Sequence, residues 1–270
     1  LHFAPPIPTP APVSWLLKAP MPQAGHGASI GVSGGRIDLV GLYNAGQPND
    51  HYRYDPGTNT WLANPASRPD VGSDKGSAVV FSASANSDVL YEIGGTNCCV
   101  DISTVYAYTF STNSWSTVAS QPIGQSRPAT GVIDGKIYVA GGHGDSNGTL
   151  RNILQVYDPV ANTWSTKASM STVREAPVGA VVGGLFYVIG GGIDAAGNAV
   201  TSVEVYDPVA NTWTTKASMA TGRAHAAVAV VAGRIYVIGG SSGSTYYSSV
   251  EVYDPATNLW TVAPSMSVAR

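Results

Sequence analysis

Short apolar runs of about five residues recur along this chain, separated by clusters of Gly, Pro, Asn, Asp and Ser. The stretch from Ala176 to Trp213 shows the pattern most plainly. Val178-Gly-Ala-Val-Val182 is apolar and small, and predicts a first strand, a. Gly183-Gly184 predicts a two-residue hairpin, where a positive φ is easily adopted only by Gly, Asn or Asp; Gly34-Gly35 and Asp134-Gly135 do the same elsewhere. Leu185-Phe-Tyr-Val-Ile189 is continuously apolar, as a strand b buried on both faces should be. Ser202-Val-Glu-Val-Tyr206 alternates like a half-buried strand c. Asp207-Pro-Val-Ala-Asn211 is a turn, and strand d follows with Trp213.

This four-strand pattern repeats. Val205 to Met219 recurs at Val156 to Met170 with one change, Ser165 for Thr214. Trp15, Trp61, Trp115, Trp164, Trp213 and Trp260 are separated by 46, 54, 49, 49 and 47 residues. In phase with them stand Gly41-Leu42, Gly94-Gly95, Gly141-Gly142, Gly190-Gly191 and Gly239-Gly240. Tyr91, Tyr138, Tyr187 and Tyr236 precede the last four pairs, and Asp38 holds that place in the first unit. A tryptophan follows Asp55, Asp158, Asp207 and Asp254 by six residues; the second unit has Thr109-Phe110 where the others have Asp-Pro. One four-stranded sheet cannot bury both of its faces, whereas copies arrayed around an axis can. Strand a then lies innermost, which accounts for Ala28, Ala78, Gly179, Ala180 and Ala227.

Double Gly, Tyr-Asp, then Trp at a period near 49 resembles the kelch motif over residues 21 to 263. The resemblance implies an all-β, kelch-type β-propeller. Expected domains are a Pro-rich extended leader at 1–13 and a propeller at 14–270. Its blades are expected near 21–63, 76–118, 125–167, 174–216 and 223–263, with a lone outer strand at 14–18. Five blades are then complete, and Trp15 marks the outer strand of an incomplete sixth. The alternative is a closed five-bladed ring. In propellers of this kind one blade is built from both chain ends, so a further domain or subunit, or chain beyond Arg270, is expected to complete the sixth.

Composition narrows the setting. Charged residues are only 11% and the net charge is −3, which argues against a nucleic-acid partner. No apolar run approaches the length of a transmembrane segment. The Pro-rich opening, the low charge and the many Ser, Thr and Asn fit an exported chain, secreted or at the cell surface. Cys98 and Cys99 are adjacent; a vicinal disulfide and two free thiols both remain open.

In an antiparallel meander the b–c loops and d–a crossings share one face, and these are the variable segments, where binding usually lives. The candidate ligand-binding residues there are Arg127, His143, Asp145, Arg174, Glu175, Asp194, Arg223, His225 and Tyr246. Together they suit sugar hydroxyls or a protein surface; Arg174 and Arg223, at the same repeat position, also fit a role tying blade to blade. Asp145, Asn147, Asp194 and Asn198 lack the dense Asp spacing of a calcium loop, so no metal is assigned, and nothing calls for a cofactor. No Gly-x-Ser-x-Gly elbow or Cys/His dyad is present. Kelch propellers include copper-radical oxidases, whose Tyr–His copper pair has no match here. They also include sialic-acid epimerases, onto which only Arg174-Glu175 maps loosely. Three readings follow: a non-enzymatic binding or scaffolding module for a glycan or protein, a sugar-modifying enzyme using Glu175, Arg223 and His225, and a structural subunit joined through its incomplete blade.

Overall fold

The computed structural model describes residues 15–25, 27–41, 50–62, 65–69, 73–74, 76–82, 88–97, 100–144, 149–194 and 196–270. The Pro-rich leader lies outside them. The described chain is all β, with no helix that could cross a membrane.

Five four-stranded antiparallel sheets follow one another, each in the order a-b-c-d. Blade 1 comprises Ser29–Ser33, Arg36–Val40, His51–Asp55 and Thr60–Leu62. Blade 2 comprises Ser77–Ser82, Asp88–Ile93, Val105–Thr109 and Ser114–Val118. Blade 3 comprises Ala129–Ile133, Lys136–Ala140, Leu154–Asp158 and Thr163–Lys167. Blade 4 comprises Val178–Val182, Leu185–Ile189, Val203–Asp207 and Thr212–Lys216. Blade 5 comprises Ala227–Val231, Arg234–Ile238, Val250–Asp254 and Leu259–Ala263. Strands a and b of blade 4 match the apolar runs residue for residue. Strand c starts one residue later than the alternation suggests, because the Ser202 carbonyl accepts from Gly190 N–H and from Arg174 instead of joining the ladder.

The blades pack face to face, and the core lies between them. Tyr138, Ala140, Leu154 and Val156 of blade 3 meet Phe186, Val188 and Tyr206 of blade 4. Tyr187, Ile189, Val203 and Val205 of blade 4 meet Ile235, Val237 and Tyr253 of blade 5. Each Leu, Ile, Val or Phe among them contributes roughly 1.5–3 kcal/mol when fully buried. The a strands touch in succession from blade 1 to blade 5 around a funnel of about 480 Å³. Ala28, Gly179 and Ala227 line it, whereas Ala180 faces the next blade.

Backbone crowding explains the double glycines. A Cβ on Gly94 would lie 2.1 Å from the Gln125 carbonyl, and one on Gly190 would lie 2.3 Å from that of Arg223. The second glycine of each pair donates its N–H to the same carbonyl of the next blade: Gly95 to Gln125, Gly142 to Arg174, Gly191 to Arg223. A side chain would separate the blades where they are stitched together.

The Tyr-Asp-Pro-x-x-Asn-x-Trp signature forms an outer belt. The aspartate Oδ1 accepts from backbone N–H groups two and three residues on, as Asp158 does from Val160 and Ala161. This holds the turn that places Asn162 in the left-handed region at φ 52°. Its Oδ1 then accepts from the Tyr157 hydroxyl (2.8 Å) and from Ala119 N–H of the preceding blade (2.8 Å). Trp164 Nε1 donates to the Ala119 carbonyl (2.8 Å). The same set recurs at Asn59, Asn113, Asn211 and Asn258.

Trp15 extends the belt: its Nε1 donates to the Pro264 carbonyl of blade 5 (2.9 Å), while Trp61 of blade 1 donates to Ala19 O (3.3 Å). Residues 15–20 therefore link blade 5 to blade 1 on the outside. The lone strand expected at 14–18 makes no ladder in its described residues, since no strand c lies beside it. The inner strands do not close. No comparable contact joins strand a of blade 5 to strand a of blade 1. Ile30 and Val32 on one side and Val231 on the other are 55%, 59% and 55% exposed. Five blades are complete, and the alternative of a closed five-membered ring is set aside.

Candidate functional site

The b–c loops and d–a crossings do share one face. Short antiparallel bridges join them: Ser126 to His143, Glu175 to Gly192, Ala224 to Ser241. At these three crossings the crossing lies inward and the b–c loop outward around the mouth of the funnel.

Three successive crossings place a non-glycine residue in the left-handed region: Arg127 (φ 52°), Ala176 (φ 47°) and His225 (φ 54°). They stand 49 residues apart and are chained around the mouth, with Ala176 N–H donating to Arg127 O (3.0 Å) and His225 N–H to Ala176 O (3.1 Å). Such conformations cost on the order of 1–2 kcal/mol each for residues with a Cβ. The chain of inter-blade hydrogen bonds holds them.

Arg127, Glu175 and His225 come together there. Arg127 Nη1 donates to Glu175 Oε2 at 2.9 Å, and both side chains keep partial exposure, 30% and 15%. His225 keeps an exposed face, while protein packed against the rest of its ring lowers its pKa below the ordinary 6.5; the Arg127 cation lowers it further and Glu175 opposes both. The imidazole is therefore neutral at neutral pH and offers one N–H donor and one acceptor nitrogen. Guanidinium, carboxylate and neutral imidazole converge on one opening.

Arg174 and Arg223 turn away from this cup and take inter-strand partners instead. Arg174 is fully buried; its guanidinium donates to Gly190 O (2.8 Å), Ser202 O (3.2 Å), Ser202 Oγ (3.1 Å) and Glu204 Oε1 (2.6 Å). Arg223 repeats this on Gly239 O, Ser249 and Glu251 Oε1 (2.6 Å). Both fasten a d–a crossing to strands b and c, and their backbone carbonyls stitch to the preceding blade. Burial removes Arg223 from any catalytic set with Glu175 and His225. In blade 3 the uncharged pair Gln125 and Gln155 holds the same place, with Gln155 Nε2 donating to Gln125 Oε1 (2.5 Å).

Asp194 is also spent locally. Its carboxylate accepts from Asn198 Nδ2 and from the Asn198 and Ala196 N–H groups, which hold its pKa below the usual range and close its own loop. His143 lies on a short hairpin, His143–Gly144 with Thr149–Leu150, its Nδ1 3.6 Å from Asp101 of the neighbouring loop. Tyr246 is 64% exposed on the hairpin Ser241–Ser242 with Thr245–Tyr246, at the rim. Asp145, Cys98 and Cys99 lie outside the described residues. Among the described residues no three His, Cys, Asp or Glu side chains gather as a metal site.

The sequence reading missed Glu204, Glu251 and Gln155. Their signal was present, a polar residue at the second position of strand c, but it reads as ordinary alternation. It also missed a buried charge cluster in blade 1. Asp38, in the position of the usual tyrosine, accepts from Arg53 Nε (2.8 Å) and lies 2.6 Å from His51 Nε2.

Comparisons with known proteins agree with this architecture. Residues 24–220 match the family described as the KLHDC2/KLHL20/DRC7 Kelch-repeats domain, and residues 222–267 match the Kelch motif. Kelch-like protein 36 of Bos taurus is 31% identical over 150 residues, covering 53% of this chain and 23% of that protein. Kelch-like protein 22 of Rattus norvegicus is 33% identical over 75 residues, covering 26% of this chain and 12% of that protein. The matches thus span less than a quarter of the length of these relatives. A solved structure titled "Structure of YjhT" superposes with a TM-score of 0.78 over 92% of this chain and 86% of that one, at 17% identity, a likeness of fold. With glycine-stitched blades, a Tyr-Asn-Trp belt and a family match across 24–220, the chain belongs to the kelch-repeat family.

Proposed function

We propose that this propeller is a non-enzymatic binding module that holds a protein ligand on its b–c loop face, at the Arg127, Glu175 and His225 cluster. The carrying observation is that Arg127 and His225 stand on crossings held in the left-handed region beside the funnel, and that Glu175 of the crossing between them pairs with Arg127. Strained polar residues kept in place by their surroundings are what a preorganised contact needs. The paired guanidinium and carboxylate match the donors and acceptors of a protein loop tip, and Tyr246 and His143 on the rim extend the contact surface. The matched relatives, two Kelch-like proteins, support the reading without naming a ligand. The proposal includes an exported setting, supported by low charge and the Pro-rich opening.

The test is capture of ligands by the immobilised propeller, from extracellular protein fractions and on a glycan array. Arg127→Ala with His225→Ala is expected to weaken protein capture by roughly tenfold or more, at an unchanged unfolding midpoint. Capture that ignores both substitutions overturns the assignment of the site. Binding confined to the glycan array, and lost in the same variant, replaces the protein ligand with a sugar.

A further inference from the structure

The seam between blade 1 and blade 2 breaks the rule that the other seams follow. In blade 4, Tyr187, Val203 and Val205 face the next blade and are buried in the core, and their counterparts in blades 2 and 3 are apolar too. In blade 1 the same three places hold Asp38, His51 and Arg53. One oxygen of Asp38 serves both partners, Arg53 Nε at 2.8 Å and His51 Nε2 at 2.6 Å. Asp38 Oδ2 and Arg53 Nη2 are buried with no hydrogen-bond partner among the described residues. Well-packed apolar residues in place of a buried ionic cluster are often as stable or more so, so stability does not account for this exchange. Departures of this kind gather at functional positions.

The cluster reaches a pocket on the face opposite the b–c loops. The pocket lies between blades 1 and 2, beside the a–b turn of one and the c–d turn of the other, and encloses about 320 Å³. That is the lower end of the size range of small-ligand sites. Arg53 and Arg36 line it together with Ser33, Asp88 and Phe110. Arg36 is half exposed and donates Nε to Asp55 (3.2 Å). The Ser33 hydroxyl donates to Asp88 Oδ2 across the seam. Phe110 stands where other blades carry the turn proline, and its ring centre lies 4.6 Å from Arg53 Cζ. Two guanidinium groups, a carboxylate and an aromatic ring thus share one small opening.

We propose that this pocket binds the acid end of an α-amino acid. Its carboxylate lies on Arg53 and Arg36, the N–H donor on the adjacent carbon meets Asp88, and its side chain packs against Phe110. A carboxylate supplies the acceptor that Arg53 Nη2 lacks, because a guanidinium presents paired donors in a fixed fork. Asp88 repels a plain anion and favours one with a donor beside it. A free amino acid and the C-terminal residue of a peptide present these same groups.

Four probes separate the outcomes by isothermal titration: L-phenylalanine, 3-phenylpropionate, and the peptide Gly-Gly-Phe with a free or an amidated C terminus. L-phenylalanine or the free-ended peptide is expected to bind with a Kd of about 1 mM or below, roughly tenfold tighter than 3-phenylpropionate or the amidated peptide. Binding of L-phenylalanine makes the source a free amino acid; binding of the free-ended peptide alone makes it a chain end. Arg53→Gln should weaken binding by about tenfold or more. Asp88→Asn should erase the margin over 3-phenylpropionate, and Arg127→Ala with His225→Ala on the opposite face should change nothing. If Arg53→Gln does not fold, Arg36→Gln decides: weaker binding supports the site, and unchanged binding rejects it. No saturable heat from either acid at millimolar concentration overturns the proposal. So does binding that ignores Arg53→Gln in a folded variant, or 3-phenylpropionate binding as well as L-phenylalanine and the free-ended peptide.

Discussion

Asn211 serves two blades with one oxygen. Its Oδ1 accepts from the Tyr206 hydroxyl of its own blade (2.7 Å) and from Ala168 N–H of the preceding one (3.1 Å), and its φ of 53° suits asparagine better than any β-carbon residue without a side-chain acceptor. Asn211→Ala is therefore expected to cost about 2–3 kcal/mol in urea unfolding, with two donors left unpaired and a strained φ. Arg174 and Glu204 give a second residue-scale prediction. Burial pushes the Glu204 carboxyl up, but the Ser171 N–H and hydroxyl together with the Arg174 charge outweigh it and hold the group below its ordinary 4.5. A depressed carboxylate stabilises the fold above its ordinary pKa, so this contribution is present above pH 4.5 and fades as the pH falls below it. Glu204→Gln alone leaves a buried guanidinium unpaired and should cost about 3 kcal/mol. Adding Arg174→Gln should recover much of that loss, because Gln125 and Gln155 already fill the equivalent place in blade 3.

At the scale of the element, the a–b hairpins and the faces of strand a are decided by single small residues. Gly183 and Gly184 turn blade 4 at φ 59° and 75°, and Asp134 with Gly135 turns blade 3 at 47° and 74°. Blade 5 makes the same turn with Ala232 at φ 49°, a left-handed alanine with no side-chain compensation. Ala232→Asn should raise stability by about 0.5–1 kcal/mol, measured by the denaturant midpoint at unchanged slope. Strand a of blade 3 shows the opposite constraint. A Cβ on Gly131 would lie 2.7 Å from Val181 and 2.9 Å from the Phe186 ring. Gly131→Val should cost about 1–3 kcal/mol by overpacking the blade 3 to blade 4 seam, whereas Ala180 at the same repeat position fits its own seam.

For the whole molecule, the seams between blades set the limits of stability. Burial, then Tyr91 and Asp158, push the Tyr157 hydroxyl up to about 12; burial, then Tyr187 and Asp254, do the same for Tyr253. Each ring packs against a tyrosine of the preceding blade, Tyr91 at 5.6 Å and Tyr187 at 6.0 Å. A tyrosine raised on folding stabilises fully below its ordinary value of 10 and loses that contribution as the pH climbs through the folded value. Stability should therefore hold up to pH 10 and fall between 10 and about 12. Denaturant midpoints followed alongside tyrosinate absorbance check this; tyrosines ionising well before any loss of stability would contradict it. A ring held at its outer rim by residues 15–20 and open inside should also lose blades 1 and 5 first, read as early hydrogen exchange in their a strands.

The sequence by itself determined the repeat, the four strands of each unit and the face that carries the variable loops. Periodicity, turn chemistry and the Tyr, Asp, Asn and Trp positions are local or strictly recurrent, so they survive without coordinates. Tertiary structure alone decided which polar residues reach that face. Arg174 and Glu175 are neighbours in the chain, yet one is sealed against Glu204 and the other meets Arg127 from the adjacent blade. A partner some 30 to 48 residues away, and the direction of a side chain at a left-handed crossing, depend on how blades abut. The doubly used asparagine and the stitched glycines were visible as letters, but their purpose appears only when the next blade's backbone lies against them.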